Sequence, residues 1–265
     1  MSLLIGSLAL SLSACSAADD GSDFGLEGEL GFRGGGGDGG VIQPPVGEPW
    51  IRNGLEDPDV SGINPAHALN TEAGMSTAVG LLEDPDAWST AQYLVECALP
   101  ADRSITKVVE GETLVLNGLI GLAPEWEDDA CDEDCQEWVS ACLLARANES
   151  GQTVHILMQA EHEAIGYGVP QGAVLEAGFY GNLFADADQQ YLCKGSLAGL
   201  VAARREGRTC SLGAGSCDFT TYLSCSYNSR CNLAGPSQNV PSNCKKGLFS
   251  NSAPYHTIAT YMLPQ

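Results

Sequence analysis

CDEDCQEWVSACLLARAN, residues 131–148, is the stretch on which the fold turns. Trp138, Val139, Ala141, Cys142, Leu143, Leu144, Ala145 and Ala147 leave it almost no polar face. A helix that is apolar nearly all round belongs inside a core. Asp128, Asp129, Asp132, Glu133 and Asp134 place negative charge where the helix dipole is positive, and Asn148 followed by Gly151 closes the far end. The stretch therefore predicts a buried central helix on which the other elements pack.

Working toward the N-terminus, two β-prone runs, Ile105 to Val109 and Thr113 to Leu119, flank Glu110-Gly111-Glu112 and predict a hairpin. Before them, Asp84-Pro85-Asp86 leads into Ala87, Trp88, Ala91, Leu94, Val95, Ala98 and Leu99, a capped amphipathic helix that stops at Pro100. Toward the C-terminus, Thr153 to Met158 reads as a strand with Val154, Ile156 and Met158 on one face. Gly166 to Phe184, broken by Gly166, Gly168, Gly172, Gly178 and Gly181, is expected to be an ordered loop lying on the core. Residues 193–250 read as a cysteine-rich insertion, and Tyr255 to Leu263, rich in β-formers, returns as a strand. The fold class is α+β: a small antiparallel or mixed sheet packed on a buried central helix, with a disulfide-rich loop insertion, forming one domain over 61–265.

The formal charge of −22 excludes a nucleic-acid partner that must be met by Lys and Arg. It is unevenly placed, −27 over residues 1–192 and +5 over 193–265, which predicts that the basic part lies against the acidic part. Residues 16–60 hold Gly34 to Gly37, Gly39, Gly40, Pro44, Pro45 and ten acidic side chains with few branched or aromatic groups. Such a tract cannot offset its own ordering entropy and reads as a disordered tether, with a reach of roughly 35–40 Å.

At the N-terminus an apolar segment, Leu3 to Leu12, ends in Leu12-Ser13-Ala14-Cys15. This resembles the lipobox of bacterial lipoproteins, although no Lys or Arg precedes the apolar run. The resemblance implies a signal peptide over 1–14, lipidation of Cys15, a membrane partner reached through the lipid, and an address in the cell envelope, on the outer membrane or cell surface. Setting Cys15 aside leaves ten cysteines, an even number that in an exported chain predicts five disulfides. Cys97 with Cys142 and Cys131 with Cys135 are the pairs expected in the first group. The pairing of Cys193, Cys210, Cys217, Cys225, Cys231 and Cys244 stays open among fifteen possibilities.

Trp138 to Arg146, followed by Glu176 and by Gly178-Phe179-Tyr180-Gly181-Asn182-Leu183-Phe184, also resembles a pattern in uncharacterised cysteine-rich exported proteins of predatory, fruiting bacteria. That resemblance covers roughly residues 88–195 and implies address and domain extent, without an activity.

Candidate chemistry is sparse. Cys142 with His155 or His162 would form a thiol–imidazole pair, but an all-disulfide chain has no spare thiol. Glu161-His162-Glu163 could furnish metal ligands only if the chain bends there, HExxH is absent, and EF-hand spacing is missing from the acids before the helix. Ser211 to Gly215 reads SLGAG, so no nucleophile elbow is present, and Gly34 to Gly40 contains no lysine for a phosphate loop. No metal and no cofactor is expected. Glu176, beside Phe179, Tyr180 and Asn182, is the best candidate acid, with His162 and Tyr180 as companions. Two functions follow as expectations: an envelope-anchored domain for binding or structural work on a protein or glycan the sequence does not name, or a secreted hydrolase of polysaccharide or another polymer.

Overall fold

The computed structural model describes residues 53–185, 189–212, 217–247 and 253–263, together with the backbone of Trp50 and Ile51. All of these fall in one compact unit, Gly40–Gln265. The expected signal peptide, Cys15, the expected tether as far as residue 49 and most of Ser211 to Gly215 lie outside the described residues.

The fold is α+β. Its centre is a six-stranded mixed sheet formed by β1 (Trp50–Ile51), β4 (Ile156–Gln159), β5 (Val174–Gly181), β6 (Gln190–Lys194), β7 (Thr220–Ser224) and β10 (Thr257–Met262), in the order β1-β4-β10-β5-β6-β7. Every neighbouring pair is antiparallel except β6 and β7, which run parallel. A separate hairpin joins β2 (Ser104–Val109) to β3 (Glu112–Asn117), and a second small ribbon pairs β8 (Asn232–Ala234) with β9 (Val240–Ser242).

The central helix α2 (Glu133–Arg146) packs on β5 and β10. It is buried from Glu137 through Arg146, so no face is left for water. Its start is capped by Asp132, whose carboxylate accepts the Cys135 N–H at 3.0 Å. Helix α1 (Trp88–Ala98) lies against α2, tied to it by the Cys97–Cys142 disulfide, and the β2–β3 hairpin packs on α1. Glu110 and Gly111, both at positive φ, form the two-residue turn that the right-handed twist of a hairpin favours. Inward-facing Lys107 donates to the carbonyls of Asn70, Thr71 and Met75, which holds the segment before α1 onto the hairpin. Helix α3 (Leu197–Glu206) lies on β5 and β10, capped by Ser196 at its start and by left-handed Gly207 at its end.

Two expectations need correction, and one needs filling in. Residues 174–181, read as loop because of their glycines, form β5, which pairs with β10 on one side and β6 on the other. Gly178 is there because a Cβ would stand 3.0 Å from Cys193 Sγ and 3.3 Å from Cys225 Sγ, so the disulfide sits directly on the strand. The disulfide-rich region 193–250 also carries regular structure, supplying part of β6, all of α3 and β7, and the β8–β9 ribbon. Residues 50–60, assigned by composition to the tether, contain β1 and buried Leu55, whose backbone closes on the end of α2 through Arg146 and Asn148. In each case the partner is distant in sequence, and composition carries no information about it.

The cysteines of the described structure form five disulfides: Cys97–Cys142, Cys131–Cys135, Cys193–Cys225, Cys210–Cys217 and Cys231–Cys244. So many disulfides belong to an oxidising compartment. No helix among the described residues is long and apolar enough to cross a membrane.

Candidate functional site

The residues singled out from sequence do not converge. Between Thr260 and Tyr261 the β10–β5 register slips, with Thr260 opposite Ala177 and Tyr261 opposite Leu175. Glu176 is thus the extra residue of a β-bulge, a device that re-aims a side chain. Its carboxylate is fully buried, accepting from Arg208 Nε at 2.9 Å and from Thr260 Oγ1 at 2.8 Å. Arg208, equally buried, also donates from Nη1 to the Ala147 carbonyl and from Nη2 to the Ala145 carbonyl at the end of α2. Glu176 therefore locks the sheet to the helix terminus and faces no solvent. Its partner is Arg208 and not Arg146, which is taken up by Glu96 and by the Tyr93 ring.

Tyr180 belongs to the other face of the sheet. It is buried with Tyr191, Tyr255 and two disulfides, with partly buried Tyr222 against them. Burial pushes its phenol well above the ordinary value. Arg230 lies 3.9 Å over the Tyr222 ring, and its guanidinium also donates to the Lys245 carbonyl, as the Tyr180 hydroxyl does. Beside this cluster the sulfurs of Cys193, Cys225 and Cys231 gather within 4.8 Å of one another. All three are committed to disulfides, so none is a thiolate that could hold a metal. Cys142 is likewise bonded to Cys97 and cannot act as a nucleophile.

His162 leads to a different place. Its ring meets Trp138 edge-on at 4.9 Å, while the His256 ring stacks against the same indole at 4.3 Å. Trp138 comes from α2, where Asp134, Glu137 and Trp138 share one face at spacings of three and four. His256, just ahead of β10, is gripped from that face: its Nε2 bonds Asp134 Oδ1 at 2.5 Å and its N–H donates to Glu137 Oε2 at 2.9 Å. Next to this stack opens a cleft of about 90 Å³ lined by Trp138, Glu161, Ser242, Asn243, His256 and Thr257. Glu161 Oε2 accepts from Asn243 Nδ2 at 3.2 Å.

Burial dominates the titration of the two partly enclosed groups beside the cleft. It raises the Glu137 carboxyl above the usual range, against the opposing N–H of His256. It lowers the His162 imidazole, against the opposing charges of Glu163 and Asp134. Sequence reasoning named His162 but missed Trp138, His256, Ser242 and Asn243 as wall residues. The spacing of Asp134, Glu137 and Trp138 was a visible signal, whereas His256 lies 122 positions from Asp134 and carries none of its own.

Compared with family models, with curated proteins and with solved structures, the chain matches none of them.

Proposed function

We propose that this protein is an exported lipoprotein whose disulfide-stabilised domain serves as a binding module, held off a bacterial envelope membrane by its acidic tether. The observation that favours binding is the cleft beside Trp138. Its walls come from α2, from Glu161 in the bend after β4, from β9 and the residue after it, and from His256 and Thr257 at the start of β10, with α2 and β10 set in the core and β9 beside the Cys231–Cys244 disulfide. Rigid placement of a few polar groups around a concave surface is what recognition requires, and it costs little on binding because the walls are already ordered. The best sequence-derived acid for a hydrolase, Glu176, is spent on the core.

Anchoring rests on Leu12-Ser13-Ala14-Cys15. Expression in a bacterial host followed by mass spectrometry of the N-terminal peptide tests it: Cys15 should carry diacylglycerol, and Cys15→Ser should leave the membrane fraction. An unmodified Cys15 in a correctly exported protein would overturn the anchored reading.

A further inference from the structure

We infer, building on the lipoprotein reading, that the outward face of α3 is a docking surface for an anionic phospholipid bilayer. The helix is built inside out. Its sheet-facing side carries Gly199, Ala202 and Ala203, all buried, while Leu197 is 79% exposed and Val201 43%. Close packing dictates the small side: a Cβ on Gly199 would stand 1.9 Å from the Leu175 carbonyl oxygen, so α3 lies with its backbone against β5. A surface helix ordinarily turns its large apolar residues inward and its polar ones to water. A single exposed leucine needs no explanation. Here, however, the apolar pair shares one face at a spacing of four, and the fold asks nothing of it, since polar residues at both positions would serve α3 as well.

Charge says what covers this face. Arg204 and Arg205 come seven and eight positions after Leu197, which puts them on the same side of the helix, and both are exposed. In a chain with 34 acidic and 12 basic side chains, neither guanidinium makes a hydrogen bond or ion pair among the described residues. Their place in the last turn suits the helix dipole, which accounts for the charge but not for the leucine and valine beside it. Glu206, the one acid of α3, comes nine positions after Leu197 and falls on the opposite side. Aliphatic side chains next to arginines are what an interfacial helix presents to a bilayer: the former enter the headgroup boundary and the latter meet the phosphates. The formal charge of −22 opposes an anionic surface at long range, but screening confines charge effects to about 8 Å at physiological ionic strength, so the field at α3 decides. The chain also enters the domain beside this helix. Just after β1, the Leu55 carbonyl accepts the Asn148 N–H at 2.7 Å, and Asn148 Nδ2 donates to the carbonyl of Gly207, the cap of α3, at 3.3 Å. A lipid on Cys15 raises the effective concentration of this face at the bilayer, so weak intrinsic affinity suffices.

The test uses the chain from Ser16 to Gln265, so that no lipid holds it, and measures its cosedimentation with vesicles of phosphatidylcholine with and without phosphatidylglycerol. Saturable binding to the phosphatidylglycerol vesicles, weakening as salt is raised, and at least tenfold weaker binding to phosphatidylcholine alone are expected. Arg204→Gln with Arg205→Gln should weaken binding at least tenfold, and Leu197→Ser severalfold. Both variants should melt with the wild type, because the altered side chains face solvent. No saturable binding, equal binding without phosphatidylglycerol, or undiminished binding by either variant overturns the docking face. A concentration-dependent dimer that Leu197→Ser abolishes would give the face to a second copy of the chain and overturn it too. Such a failure leaves the lipid anchor on Cys15 untouched, and an unlipidated Cys15 would leave the vesicle binding untouched.

Discussion

Replacing Arg208 by Met tests whether the buried pair with Glu176 is what fastens the sheet to the central helix. Arg208 is fully buried and makes three hydrogen bonds, one to Glu176 and one each to the carbonyls of Ala145 and Ala147. Removing it strands a carboxylate and two helix-terminal carbonyls away from water. Breaking one side of a buried ion pair costs about 3–5 kcal/mol. That is a large share of the roughly 5–15 kcal/mol by which a domain is stable. With a slope of about 4 kcal/mol/M in guanidinium chloride, the unfolding midpoint should fall by about 1 M at unchanged slope. The double variant Arg208→Met, Glu176→Leu removes both charges together and should recover much of the loss, because no uncompensated ion remains. Equilibrium unfolding of the oxidised protein, followed by tryptophan fluorescence, measures both. A single variant within 1 kcal/mol of wild type, or a double variant worse than the single, would refute the role given to this pair.

Other outcomes are equally specific. A thiol count on residues 61–265 of the unfolded, unreduced protein should be zero, because all ten cysteines there are paired; one or two free thiols would break the disulfide assignment. Closing a separation of 45 residues, the Cys97–Cys142 disulfide should contribute about 4 kcal/mol on loop-entropy grounds. Cys131–Cys135, with a separation of 4, should contribute about 2 kcal/mol, so Ala pairs at the two sites should rank in that order by chemical denaturation. Glu137, raised by burial from 4.5, favours the folded state below that value, and this contribution should be lost as pH climbs through its higher folded value. Glu137→Gln should abolish that part of the pH dependence. His162, lowered by burial from 6.5, acts in the opposite sense: stability should fall as pH drops from 6.5 through its folded value, and its ring proton should titrate below 6.5 by NMR.

Much of the architecture was legible because its causes are local. Trp138 to Ala147 are apolar on every side, so the segment had to be a buried helix, and the acids before it marked where it begins. Alternation in Ser104–Val109 and the Glu110-Gly111 turn specify a hairpin without reference to anything else in the chain. The β-formers Thr257 to Met262 announced a strand, which the structure puts between β4 and β5. Tertiary structure decided everything that depends on a distant partner. Glycines in 174–181 signal a loop until the Cys193–Cys225 disulfide is laid across Gly178, and only then does the missing side chain become a packing requirement. The same holds for Glu176, which looked like a free acid among aromatic residues. One bulged residue in the register turns it toward Arg208 and into the core, because a strand alternates its faces and a single slip reverses them. The cleft is the extreme case: Trp138, His256 and Ser242 are separated along the chain and meet only when the sheet brings the start of β10 and the end of β9 against the first turns of α2.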